Sequence, residues 1–429
     1  MGSGMTAEFQ GLFLILSIAV LAPLANRLPA LAHVPIVAIE LVLGVIAGPS
    51  VLGLVVNDST IDFLGRFGLV FLFFQAGFEF KMKDLGPGPL RLGFLAWLIS
   101  LAASVVFVGA LWALGLVKAP ALVALVLPTT AFGVLLPILR QGGELNTDFG
   151  RHVMGAAAVG ELCPLIFASI ALAQEKHHLH QTVLSALFLL IAVASVFLLA
   201  TLRSERLSAI ILRWLGDSEL LPVRVSLVML LGFVSLAGVM GMEAVVGAYA
   251  AGMAVATLVD GTRAQALESR LKTIGAGFFV PIFFIASGVE FDVSALLSSP
   301  GGVPRLLLFC LAFAVIRMAP LALYRGVLGE RDLPPFALLS ATTLPLVVAI
   351  SYLGARSGQM SAENASALVG AALVTVTLFP TLALSARSAA RASRPPDSIE
   401  TALGRCSDAI ATRVNDLLAA AMRNLPARW

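Results

Sequence analysis

The feature that most limits what this chain can become is a series of apolar runs, each about twenty residues long. That is the length a helix needs to cross a hydrocarbon core roughly 30 Å thick. About thirteen such runs are legible, near 8–26, 34–54, 61–79, 90–116, 120–139, 149–173, 182–202, 220–240, 242–259, 273–290, 303–324, 334–354 and 362–385. Short polar links separate them, shortest between the eighth and ninth at "GMEAVVG". Apolar residues make up 59% of the chain and charged residues 12%, about half the charged share of an ordinary soluble protein. An all-α polytopic membrane protein of about thirteen transmembrane helices follows, with the lipid bilayer as its surroundings. The net charge of +3 is too small to argue for nucleic acid as a partner.

Charge in the links sets an orientation. If the N-terminus lies outside, fifteen Lys and Arg fall in cytoplasmic links, whereas only Arg66, Lys118, Lys176, Arg305 and Arg356 fall in outer ones. By the positive-inside rule this predicts an N-terminus outside, a cytoplasmic C-terminus and residence in the cell's inner (plasma) membrane. Residues 1–385 read as the transmembrane domain and 386–429 as a cytoplasmic tail. Within the tail, "IETALGRCSDAIATRVNDLLAAAMRNL" spaces apolar residues as an amphipathic helix does, which fits a membrane surface or a cytoplasmic partner; a partly ordered tail is the other reading. The three cysteines, Cys163, Cys310 and Cys406, lack metal-ligand spacing, and the histidines of "KHHLH" (Lys176 to His180) sit in a short extramembrane link. No metal site and no cofactor is expected. With no nucleophile–base pair at a membrane face, neither is an enzyme.

Two spans carry breaks. The fifth contains "LPTTAFGVLLP", with Thr129 and Thr130 after Pro128; the twelfth contains "SATTLPLVV", with Thr342 and Thr343 before Pro345. Proline removes a backbone donor, and bare backbone at membrane depth is tolerated only where it lines protein or a water cavity. The two spans are seven apart, so they run in opposite directions, as an inverted repeat requires. Interrupted helices at matching places of inverted halves point to a transporter's substrate site.

Charges inside spans mark sites by default. Glu161, in "AAAVGELCPLIFASIALA", lies near the middle of the span after the first break; Arg317, in "LAFAVIRMAPLAL", lies in the span before the second. An ionised carboxylate can hold a desolvated monovalent cation, and a protonated one is neutral, so proton and cation can compete for one group. Arg317 keeps its proton and can serve as counter-charge. A purely structural Glu161–Arg317 pair is the alternative. For Glu40, Glu79, Glu243 and Glu290, packing, gating or capping is expected rather than ion contact.

Four further stretches carry a resemblance: "PIVAIELVLGVIAGPSVLGL" (35–54), "GRFGLVFLFFQAGFEFKMKDL" (65–85), "VVGAYAAGMAVA" (245–256) and "GFFVPIFFIASGVEFDVSAL" (277–296). In order and character they resemble the monovalent cation:proton antiporter superfamily, on the branch of Kef-type potassium efflux proteins and bacterial sodium/proton exchangers. The resemblance implies a dimerisation domain, a core domain with two crossed broken helices, a homodimer, and alternating access by relative motion of the domains. It places Glu161 on the family's essential carboxylate, Arg317 on a basic position, and Thr129 and Thr130 on the unwound segment lining the ion site. Relatives put a polar residue before the carboxylate; here Gly160 stands there, which predicts extra space. One carboxylate beside a non-titrating Arg fits electroneutral exchange of K+ or Na+ for H+. A same-fold transporter of an organic ion or metabolite and a channel-like or sensor subunit are the other readings. No nucleotide-binding regulatory domain of the Kef kind is expected.

Overall fold

The computed structural model describes residues 2–29, 34–56, 58–79, 86–118, 120–145, 147–172, 220–259, 261–297 and 301–392. Among these residues there is no strand. The helices are α1 (Gly2–Ala25), α2 (Ile36–Ala47), α3 (Ser59–Glu79), α4 (Pro87–Ala113), α5 (Pro120–Val126), α6 (Phe132–Gln141), α7 (Asp148–Leu172), α8 (Leu221–Val239), α9 (Ala244–Leu258), α10 (Gly261–Ile274), α11 (Val280–Val289), α12 (Val293–Leu297), α13 (Gly302–Met318), α14 (Leu333–Ser340), α15 (Pro345–Arg356) and α16 (Ala362–Ala392). The expected span at 182–202, the histidines of "KHHLH", Cys406 and the tail beyond Ala392 lie outside the described residues.

Among the described residues eight helical segments are long and apolar enough to cross a bilayer, one of them (Glu330–Arg356) interrupted midway, and Phe9–Ala25, Ile36–Ala47 and Ala244–Leu258 are shorter apolar helices. With the broken pair α5–α6, these account for the twelve expected spans that fall on described residues. Several ends move. The second span stops at Ala47 rather than near residue 54, because Gly48 is extended before Pro49 and the chain turns through Gly53 at φ +62°. The tenth begins earlier, since α10 runs through a π-turn at Gly275–Phe279 into α11. The short link between the eighth and ninth spans is a tight turn, with Gly241 at φ +68° after α8. That left-handed backbone is one a glycine adopts without cost.

Residues Met1–Ala383 form one compact unit and Leu384–Trp429 a second. Inside the first unit the helices sort into two bundles. In one, α3 packs on α9 and α11, α2 on α11 and α1, and α8 on α9. In the other, α4 packs on α7 and α5, α13 on α14, and α15 on α5 and α7. The Ala362–Ala383 part of α16 joins the second bundle, where Glu363 pairs with Arg305 of α13 at 2.6 Å. Between α3 and α9 the backbones nearly touch: a side-chain carbon at Gly77 would run into the carbonyl of Tyr249, and one at Gly252 into that of Phe74. Small residues at such seams are how membrane helices gain contact where lipid supplies no hydrophobic drive. The outer faces are apolar and open, with Phe13, Val106, Val228 and Val239 more than 60% exposed, as expected where lipid replaces water.

Candidate functional site

Both breaks are real and they meet. The first, Leu127–Ala131, separates α5 from α6; the second, Ala341–Leu344, separates α14 from α15. The Ala131 N–H donates to Thr342 O at 2.9 Å. Thr129 and Thr343 share a hydroxyl–hydroxyl bond of 2.8 Å, and the Thr130 hydroxyl donates to Ser340 O at 2.6 Å. All four threonines of the two pairs are fully buried. Three of the hydroxyls also bond backbone carbonyls near the breaks: besides Thr130, Thr129 donates to Val126 O at 2.7 Å and Thr342 to Leu338 O at 3.0 Å. Thr375 of α16 donates to Thr343 O at 3.2 Å.

Glu161 comes to this crossing from α7 and is 4% exposed. Its Oε2 accepts the Phe132 N–H at 3.0 Å. Phe132 is the first residue of α6, so the carboxylate sits at a half-helix N-terminus, where unpaired amides and the positive end of the dipole favour an anion. One backbone donor engages only part of a carboxylate's acceptor capacity, which leaves the group able to take a proton or a cation.

Arg317 reaches the same crossing from α13 and is 2% exposed. It forms no ion pair with Glu161. Its Nε donates to Ser340 O at 3.0 Å, at the C-terminal end of α14, and its Nη2 donates to the Thr130 hydroxyl. The cation therefore meets the negative end of one half-helix while the carboxylate meets the positive end of another. The geometry also corrects the expectation of extra space at Gly160. A Cβ there would stand 2.5 Å from Arg317 Nη2 and 2.7 Å from Thr130 Oγ1. The room is already filled, by the guanidinium and the hydroxyl it binds, and the Gly160 carbonyl accepts the Thr130 N–H at 3.0 Å.

Ser340, which sequence reasoning passed over, completes the crossing. Ser340 supplies the carbonyl on which Thr130 and Arg317 converge, and its position just before "ATTLP" was the available signal. Tyr249, the tyrosine of the small-residue stretch "VVGAYAAGMAVA", is buried on α9 in the first bundle. Glu40 is buried on α2 in the first bundle. Among the described residues no group of three His, Cys, Asp or Glu is placed to hold a metal ion.

Two helices broken at mid-length, inverted and crossed beside a buried carboxylate and a buried arginine, define a secondary transporter of the antiporter fold. The chain belongs to the sodium/hydrogen exchanger transmembrane family, whose model matches residues 14–384. It is 26% identical over 389 residues to YjbQ of Bacillus subtilis, provisionally named a Na(+)/H(+) antiporter, covering 85% of this chain and 62% of that protein's length. It is 26% identical over 396 residues to the Na(+)/H(+)-K(+) antiporter GerN of Bacillus cereus, covering 87% of this chain and 95% of GerN. The fold is similar to that of the sodium proton antiporter MjNhaP1 from Methanocaldococcus jannaschii, with a TM-score of 0.59 at 16% identity over 89% of this chain and 97% of that one. These relatives are transporters, not enzymes.

Proposed function

We propose that this protein exchanges a monovalent cation, Na+ or K+, for H+ by alternating access, with Glu161 as the group the two share. The observation that carries this reading is the buried Glu161 carboxylate at the N-terminus of α6, where the two breaks cross. Thr129 and Thr130, with Thr342 and Thr343 opposite, supply the backbone and hydroxyl oxygens beside it. Arg317 acts as the fixed positive charge of the crossing. Two of its five donors are engaged, by Ser340 and Thr130, and a guanidinium does not titrate in the working range. One exchangeable carboxylate then favours electroneutral, one-for-one exchange. The filled space at Gly160 supports a small inorganic cation over a larger organic substrate. The names of YjbQ and GerN support Na+ and K+ as candidate cations.

The proposal includes a multi-pass protein of the plasma membrane with its N-terminus outside, and the homodimer that the family resemblance implies. The test uses proteoliposomes holding a pH gradient. Adding Na+ or K+ is expected to collapse the gradient for the wild type and to leave it intact for Glu161→Gln. Full exchange by Glu161→Gln removes Glu161 from the mechanism. Collapse by an organic solute, with neither cation effective, replaces the substrate.

A further inference from the structure

Among the described residues, ion pairs join the two bundles at one end and not at the other. At the end where α3 begins, Asp62 of α3 and Glu290, which caps α11, belong to the first bundle; Tyr352 and Arg356, in the last turns of α15, belong to the second. Tyr352 Oη donates to Asp62 Oδ1 at 2.9 Å. Arg356 Nη1 pairs with the same oxygen, and its Nη2 reaches Asp62 Oδ2 at 3.3 Å. Arg356 also approaches Glu290 at 3.6 Å, with its guanidinium 5.4 Å from the centre of the Tyr352 ring. Arg66, one turn along α3, holds Asp62 Oδ2 at 2.6 Å. A second tie lies at this end: the Glu243 N–H at the head of α9 donates to the Ser169 hydroxyl near the end of α7 at 2.9 Å. Gln359, just beyond α15, bonds Leu172 O at 3.1 Å and so places the end of α7 beside the end of α15.

The opposite end differs. From Asp62 to Glu79, α3 rises about 25 Å. There Lys272 pairs with Glu79 at 2.7 Å and with Glu268 at 2.9 Å, so these ion pairs stay within the first bundle. A cleft of about 820 Å³ opens between α10 and Arg140 at the end of α6, lined by Gln265, Glu268, Ser269 and Lys272. Arg140 belongs to the second bundle and the other four to the first. Among the described residues the bundles are thus joined by ion pairs on one face, while on the other a cleft opens between Arg140 and α10.

We propose that Asp62, Glu290, Tyr352 and Arg356 form a latch that closes one face of the transporter and sets the balance between its two access states. This rests on the alternating-access reading above; in the orientation proposed there, the latched face is the outer one. Isolated surface ion pairs contribute little. Here one carboxylate takes a phenol and two guanidiniums, and each contact to α15 must break if the bundles part on that side. The latch therefore acts on one motion rather than on the fold as a whole. A state whose stability falls gives way to its alternative, and apparent affinity on each face follows the population open to that face.

The experiment measures proton-coupled cation exchange by the full chain in vesicles of defined orientation, with the apparent KM for Na+ or K+ taken separately from each face. In Arg356→Ala the KM on the latched face is expected to fall about threefold and that on the cleft face to rise by less, because the latched state already holds most of the population. Tyr352→Phe, which removes one hydroxyl and keeps the ring, is expected to move both in the same directions by less. In the double variant Asp62→Cys, Arg356→Cys, a bis-methanethiosulfonate bridge is expected to stop exchange, and a reductant to restore it. Unchanged or equally changed KM at both faces, in protein that elutes as the wild type does, overturns the latch; so does full exchange while bridged. Either result leaves the proposed function standing. A wild type that exchanges neither cation removes that function and the latch with it.

Discussion

Gly160 matters for what a side chain there would displace. The guanidinium of Arg317 and the hydroxyl of Thr130 both stand within 2.7 Å of the place its Cβ would take. Arg317 is held by Ser340 O and Thr130, and the Thr130 backbone is held by Gly160 O, so none of the three can give way alone. Gly160→Ala should therefore push Arg317 off Thr130 and cost about 1–3 kcal/mol of stability, the usual range for overpacking. A lowered thermal midpoint in detergent together with slowed exchange is the expected pair of results. An unchanged midpoint would show that the crossing has slack at this point. Thr129, Thr130, Thr342, Thr343, Glu161 and Arg317 were all legible as candidates, because polar groups in apolar spans are conspicuous. That Arg317 binds a helix C-terminus and a threonine rather than Glu161 was not, because chain position says nothing about which way two buried side chains turn.

At the scale of helices, two kinds of local rule set the architecture. Proline explains the breaks: Pro128 ends the run of α5, and Pro345 starts α15 at a position where its missing N–H costs nothing. Glycine explains the seam between α3 and α9. Gly77 faces the Tyr249 carbonyl and Gly252 faces that of Phe74, so this pair of helices lies backbone to backbone. Gly77→Leu is expected to force the two helices apart and to lower the thermal midpoint by more than Gly160→Ala does. A branched side chain there meets backbone on a neighbouring helix rather than the tip of a flexible side chain. The same substitution at Gly109, where a Cβ would meet nothing within 4 Å, is the control and should change stability by no more than about 0.5 kcal/mol, leaving the midpoint near that of the wild type. Equal midpoints for the two variants would dismiss the seam as a packing determinant.

For the molecule as a whole, the two bundles and the surfaces between them decide what can move. Links carrying most of the Lys and Arg lie on one side of the span map, which yields a direct check of orientation. Lys118 and Arg331 are both exposed, beyond α4 and before α14. Lys118→Cys should react with a membrane-impermeant maleimide on intact cells, and Arg331→Cys only after permeabilisation, each above the background of the native cysteines. The reverse pattern would invert the orientation and move the latch to the cytoplasmic face. The sequence by itself determined an all-helical, multi-pass protein, the places where two helices must break and the charges that had to be buried. Those follow from local chemistry: the length of apolar runs, the missing donor of proline and the cost of a charge in hydrocarbon. Only the tertiary structure decided that the breaks cross, that Glu161 rests on the head of α6, that Arg317 fills the space beside Gly160, and that Asp62 and Arg356 pair between the bundles. Those depend on which helices become neighbours. Between residues as far apart as Asp62 and Arg356 or Gly160 and Arg317, neighbourhood is fixed by packing and not by order along the chain.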